Sequence, residues 1–168
     1  MTEYKKATEA DLEQIWNRSI ADNPDDPRYI RWKQQFIDDN RSGAAATFVI
    51  RIDGDCVGEG TLLLSSDCRA IRGRSCLADG KTAANINALR IRKEYEGLGH
   101  ISALMKAMED YARSLGLATL TIGVEACETR NLAIYLHWGF DRFLIHETED
   151  DALVLYYGKS LTPASPTN

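Results

Sequence analysis

The stretch from Gly99 to Leu115 constrains this chain most. Ile101, Leu104, Met105, Met108, Tyr111, Ala112 and Leu115 recur there at helical spacing, and Gly116 supplies a C-cap. The run at 84–92 before it reads as a strand. So does ATLTIGV after it, where Ala118, Leu120, Ile122 and Val124 alternate. A strand, helix and strand joined this closely form a right-handed crossover between parallel strands. The other elements must pack around that unit.

Toward the N-terminus, EYKKA suits a short strand. Thr8 and Asp11 then resemble a capping box, and Leu12, Ile15 and Trp16 share one face of the helix that follows. NPDDP breaks that helix, and a second one is expected over about 28–40, carrying Tyr29, Trp32 and Phe36. ATFVIRI and CVGEGTLLL flank Asp53-Gly54, a hairpin turn signal. Residues 65–82 show no period and read as a long connection, a kind of segment that is often functional. Beyond ATLTIGV come a short helix at about 130–138, ended by Gly139, and strands near 140–146 and 152–157.

The order β-α-α-β-β-β-α-β-α-β-β predicts an α/β fold, with a mixed central sheet of about seven strands flanked by about four helices. One domain is expected over 1–159, and 160–168 is expected to be a flexible tail. A chain of 168 residues can bury a full core, and 44% hydrophobic with 27% charged residues is an ordinary globular balance. No run of about 18 apolar residues offers a membrane span. The polar N-terminal stretch does not read as a secretory signal, so a cytoplasmic location is expected.

A net charge of −5 argues against general nucleic-acid binding, and the basic stretch CRAIRGRSC reads as a solvated loop. Cys56, Cys68, Cys76 and Cys127 form no C-x-x-C pair, and no histidine completes a zinc spacing. All four are read as reduced, no metal is expected, and a nucleophilic Cys127 stays open.

Two features carry chemistry. In the strand at 84–92, Ile86 and Ala88 share one parity while Leu89 and Ile91 share the other. A β-bulge near Ala88 moves an apolar face this way, and so does burial on both faces. Gly97 and Gly99 then precede the helix. A helix N-terminus has unpaired N–H groups and partial positive charge, and glycines let the backbone approach an anion. The junction is a candidate phosphate cradle, or simply a turn. No G-x-x-x-x-G-K-[ST] occurs, and Ser102 stands at the third glycine position of G-x-G-x-x-G. A nucleotide hydrolase and a dinucleotide-binding dehydrogenase are both disfavoured.

LRIRKEYEGLGHISALM, ATLTIGV and NLAIYLHWGF together resemble the GNAT superfamily of acetyl-coenzyme A-dependent N-acetyltransferases. The element order is similar over about residues 3–158, and the motifs cover about 89–140. In that family a bulged strand leads into R/Q-x-x-G-x-G/A. Two registers are open: Glu96 with Gly99 and Ile101, or Glu94 with Gly97 and Gly99.

The resemblance implies acetyl-CoA as cofactor. It would be held along Leu89, Arg90 and Ile91 of the strand and by Gly97, Leu98, Gly99, His100, Ile101 and Ser102 at the loop. Asn131, one turn before Tyr135 where the family does not usually carry asparagine, would contact the cofactor or cap its own helix. Tyr135, in a Y-x-x-x-G-F match completed by Gly139 and Phe140, falls at the family's general acid, beside the coenzyme thiol. The implied reaction is direct attack of a primary amine, on a small molecule or a peptide, upon the acetyl group. Glu125 is the chosen base, with Glu59 as the alternative, and 65–82 is expected to help form the acceptor site. No metal, nucleic acid or membrane is implied, and a homodimer is left open. The alternative reading is a module that senses coenzyme A without transferring acetyl groups.

Overall fold

The first helix starts where its cap dictates. In the computed structural model, which describes residues 1–161, the Thr8 side chain accepts from the Asp11 N–H and the Asp11 carboxylate accepts from the Thr8 N–H. Two donors left over at a helix start are satisfied reciprocally. The elements run β1 (Thr2–Lys6), α1 (Glu9–Asp22), α2 (Arg28–Ser42), β2 (Ala45–Ile52), β3 (Asp55–Leu63), β4 (Ala83–Ile91), a 3-10 turn (Lys93–Tyr95), α3 (His100–Ser114), β5 (Thr119–Glu125), α4 (Thr129–His137), β6 (Arg142–Glu149) and β7 (Ala152–Ser160). The seven strands form a mixed sheet in the order β1-β2-β3-β4-β5-β7-β6, with β4 and β5 parallel. Strand count, helix count and element order are those the sequence predicts.

The chain divides into two compact units, with boundaries after Leu63, after Asn87 within β4 and after Met108 within α3. The first unit holds Met1–Leu63 and Ala88–Met108. Its hairpin turns at Asp53 and Gly54, with φ of 50° and 89°, the left-handed pair that a two-residue hairpin needs. The β2–β3 register shifts between Ile50 and Arg51, so Val57 is an extra residue on β3; no period in the sequence announced it. α2 runs to Ser42, two residues past its expected end, because the left-handed break falls at Gly43, φ 82°. Buried Asp11, 1% exposed, pairs with Arg51 of β2, tying α1 to the sheet.

The second unit holds Leu64–Asn87 and the described residues from Glu109 onward. β5 lies at its centre, parallel to β4 over Ala83–Ile86 and antiparallel to β7 along its whole length. Leu120, Ile122, Val124, Phe140 and Val154 are buried there. The 65–82 connection has no helix or strand but is packed, with Cys68, Ile71, Leu77 and Ala78 buried. Arg74 anchors it: the guanidinium donates to Glu149 (2.8 Å) and lies over the Tyr156 ring at 4.9 Å. Ser160 belongs to β7 and Leu161 is buried, because the Leu161 N–H bonds to the Ala118 carbonyl; residues 162–168 lie outside the described residues.

Among the described residues no helix is long and apolar enough to cross a membrane, and no group of three or more His, Cys, Asp and Glu side chains could hold a metal ion. The four cysteines are thiols, Cys56 and Cys68 buried, Cys76 and Cys127 exposed.

Candidate active site

β4 changes character along its length. Ala83–Ile86 are buried on both faces and paired to β5. Ala88 then takes φ 52°, a left-handed conformation that costs a residue with a Cβ about 1–2 kcal/mol. A left-handed residue inside a strand breaks the alternation of N–H and C=O directions at that point. The first half of the strand is thus buried, as one of the two sequence readings has it, and a backbone irregularity follows at Ala88. Leu89 and Ile91 are half-buried, and the Arg90 side chain is 43% exposed.

The chain leaves β4 through the 3-10 turn. The N–H groups of Tyr95 and Glu96 are used there, on the carbonyls of Arg92 and Lys93. Gly97 and Gly99 follow with φ of 75° and 83°, and Leu98 between them is 66% exposed. Both glycines are thus required by backbone conformation, which favours the register Glu94-x-x-Gly97-x-Gly99. The first hydrogen bond of α3 runs from Ala103 N–H to Gly99 O, so the N–H groups of His100, Ile101 and Ser102 precede the intrahelical ladder. Glu96 is exposed.

His100 is half-buried at the start of α3. Its Nδ1 lies 2.9 Å from the Tyr4 hydroxyl, and its ring lies against Tyr4 and Tyr95. Sequence reasoning missed Tyr4, because nothing local links β1 to a residue 96 positions away.

Tyr135, Glu125 and Asn131 belong to the second unit. Tyr135 is half-buried on α4, with Trp138 and Phe140 at ring-centroid distances of 5.9 and 6.4 Å. Burial, then the charge of Glu128, push its phenol above the ordinary tyrosine value. Its hydroxyl makes no hydrogen bond among the described residues. Asn131 is exposed and donates to Glu128 Oε2 at 3.1 Å, so its side chain is not the α4 cap. Glu125 ends β5 and is exposed, with the Cys127 thiol 3.6 Å from it. Glu59, the alternative base, is 2% exposed and bound to Arg90; burial raises its carboxyl pKa against the opposing pull of Arg90.

A family model described as the acetyltransferase (GNAT) family matches residues 10–140. The chain belongs to the GNAT acetyltransferase family. No curated protein sequence matches this GNAT protein significantly. Its fold is shared with solved structures at low identity. A proposed acetyltransferase from Salmonella typhimurium, solved with its cofactor acetyl-CoA, has TM-score 0.69 and 11% identity, covering 100% of this chain and 98% of that one. A chimeric spermidine N-acetyltransferase from Vibrio cholerae has TM-score 0.69 and 16% identity, covering 95% of each chain. A ribosomal-protein-alanine N-acetyltransferase from Brucella melitensis has TM-score 0.67 and 17% identity, covering 94% of this chain and 99% of that one.

The cofactor of a GNAT protein is acetyl-CoA, and the residues present fit it. A Cβ built at Gly97 or Gly99 would meet nothing within 4 Å, so the space over the loop is open. The amides of His100, Ile101 and Ser102 and the positive end of a 15-residue helix supply what a pyrophosphate needs. Lining this loop, Gly97, Leu98, Gly99, His100, Ile101 and Ser102 are the residues that would hold it.

Proposed function

We propose that this GNAT protein transfers an acetyl group from acetyl-CoA to a primary amine by direct attack. The observation that carries the reading is the pair of left-handed glycines, Gly97 and Gly99, before α3 amides that make no hydrogen bond among the described residues. When bound, acetyl-CoA supplies the acetyl group as a thioester and a thiolate as leaving group.

The chain's own residues would then divide the work. The α3 amides bind and fix the pyrophosphate. Backbone N–H groups beside the Ala88 kink, along Leu89 to Ile91, polarise the acetyl carbonyl. Glu125 takes the proton of the acceptor ammonium, directly or through one water: it is exposed, and it makes no ion pair among the described residues. Tyr135 gives a proton to the departing thiolate and regains one from solvent, to which the new amide nitrogen loses its second proton. A phenol whose pKa is raised by burial holds that proton throughout the neutral range. The packed 65–82 segment helps form the acceptor site, with exposed Arg69, Arg72 and Ser75 as the side chains to vary. The four thiols suit a reducing compartment, and the cytoplasm is the proposed location.

The test is release of free coenzyme A across a panel of amines, run beside calorimetry of coenzyme A binding. Release with at least one amine, abolished when the amine is omitted, supports transfer. Tight binding without release from any amine would instead make this a coenzyme A-sensing module.

A further inference from the structure

Arg90 follows the Ala88 kink by two residues. Its Nε donates to Oε1 of Glu59 on β3, and its guanidinium lies over the ring of Trp16 on α1, 5.3 Å from the centroid. Glu59 is 2% exposed, and its Oε2 has no hydrogen-bond partner among the described residues; the same is true of the buried Trp16 Nε1. Gly58 and Gly60 flank Glu59. A Cβ at Gly58 would come within 3.0 Å of the Arg90 carbonyl, so the backbone is drawn tight against β4 here.

This arrangement holds a guanidinium by one edge only. Nε is taken by Glu59, while Nη1 and Nη2 donate to no protein group among the described residues, and the side chain is 43% exposed. A long side chain steadied by a buried carboxylate and an aromatic face has already lost much of its rotamer freedom. An open Nη1–Nη2 edge matches the two oxygens of a carboxylate. As scaffolding alone the pair is a poor device, because a buried carboxylate with an unpaired oxygen is costly. As a mount for an anion receptor it makes sense: Glu59 fixes the direction of the fork and leaves its outer edge to a ligand.

We propose that the Arg90 side chain receives a carboxylate of the acceptor, and that the acceptors are amines that also carry a carboxylate, such as free amino acids. The assignment rests on the transferase reading above. It gives Arg90 a side-chain role toward the acceptor, separate from the cofactor contact along the backbone of its strand.

The test compares amino acids with the same amino acids as amides, which keep the amine and lose the negative charge. In acetyl transfer, the free acids are expected to have the higher kcat/KM by about tenfold or more, the value of one charge-assisted hydrogen-bonding contact. Arg90→Met should erase that preference while leaving the KM for acetyl-CoA unchanged. Arg90→Lys, a cation without the fork, should keep only part of it, and reads the same difference should the methionine variant fail to fold. A measurement without turnover accompanies this: calorimetric titration with N-acetyl-L-leucine and N-acetyl-L-leucinamide. The acid is expected to bind at least about tenfold tighter, in an Arg90-dependent way. Equal binding of the two, including no binding of either, overturns the subsite. So does a preference that survives Arg90→Met, or a rise in the KM for acetyl-CoA instead of the acceptor. Arg90-dependent binding of the acid with no acetyl transfer to any amine would leave the subsite standing and remove the transferase reading.

Discussion

The hydroxyl of Tyr4, on the first strand, meets Nδ1 of His100, the first residue of α3, at 2.9 Å. This bond fixes the ring at the helix start that follows the two left-handed glycines. A partly buried bond of this kind contributes about 1 kcal/mol. In a double-mutant cycle of Tyr4→Phe with His100→Ala, read by urea unfolding, the two changes are expected to couple by about that amount. Additive effects would mean that the two side chains act independently.

Gly99 stands at φ 83° with open space where a Cβ would point. A side chain there therefore acts through backbone strain and by occupying the anion's path, with no displacement of neighbouring protein atoms. Gly99→Val is expected to cost about 1–2 kcal/mol of stability and to weaken coenzyme A binding at least about tenfold, since an amide contact to a charged phosphate is lost. Glu96→Gln should leave affinity equal or better, because it removes a like charge near the loop. Calorimetry on the three proteins checks both, and unchanged affinity in Gly99→Val with the fold intact would move the cofactor elsewhere.

Most of the fold was legible because it rests on local signals: the α3 stripe, the Thr8–Asp11 box, the Asp53-Gly54 turn and the parity change at Ala88. The loop glycines were legible for the same reason, since left-handed conformation is a property of single residues. Pairings between distant side chains were not. Glu59 could be seen as a carboxylate between two glycines, but its burial and its bond to Arg90 depend on β3 lying beside β4. The β2–β3 bulge and the Arg74 anchor likewise come from strand register and long-range packing, which have no period.

Arg74 is the anchor whose removal should be felt most. Its side chain is 11% exposed, donates to Glu149 and to the Ala70 and Ile71 carbonyls, and lies 3.3 Å from the Tyr156 hydroxyl. Burial and the bond to Glu149 push the Tyr156 phenol up to about 12. Arg74→Met would leave Glu149 with the Tyr156 hydroxyl as its remaining donor, at an expected cost of about 1.5–3 kcal/mol. A change in the unfolding midpoint worth less than about 1 kcal/mol would show that the segment is held by Ile71 and Leu77 alone.

Asp79 predicts an acid limb. Its burial raises its pKa, but the Thr82 hydroxyl and the amides of Ala83, Thr82 and Lys81 outweigh that and hold the carboxyl far below the usual carboxylate range. A depressed folded pKa stabilises the fold above the unfolded value of about 3.9, and that contribution is lost as pH falls toward the folded pKa. Asp79→Asn should therefore be less stable than the wild type at pH 6, with the gap shrinking steadily below about pH 4. Thermal melts from pH 6 to pH 2 measure it. A gap that stays constant with pH would mean that the amides recognise shape, with no contribution from charge.

Tyr135 gives the sharpest test of the chemistry. A thiol has a pKa of about 8.5, so a departing thiolate is already a fair leaving group. Protonation by Tyr135 should then contribute near the low end of the roughly 10²–10⁴ range for general acid–base catalysis. Tyr135→Phe keeps the ring against Trp138 and Phe140 and removes a hydroxyl that makes no hydrogen bond among the described residues. Its melting temperature and coenzyme A affinity should match the wild type, while kcat falls about 10²-fold. Because burial raises the phenol pKa, any alkaline loss of the wild-type rate from Tyr135 should come at higher pH than an ordinary tyrosine would give. The kinetics must be run where chemistry limits the rate, which a pre-steady-state burst would rule out. Full turnover in Tyr135→Phe under those conditions would make Tyr135 a packing residue of α4, and the thiolate would then leave without a proton from this side chain.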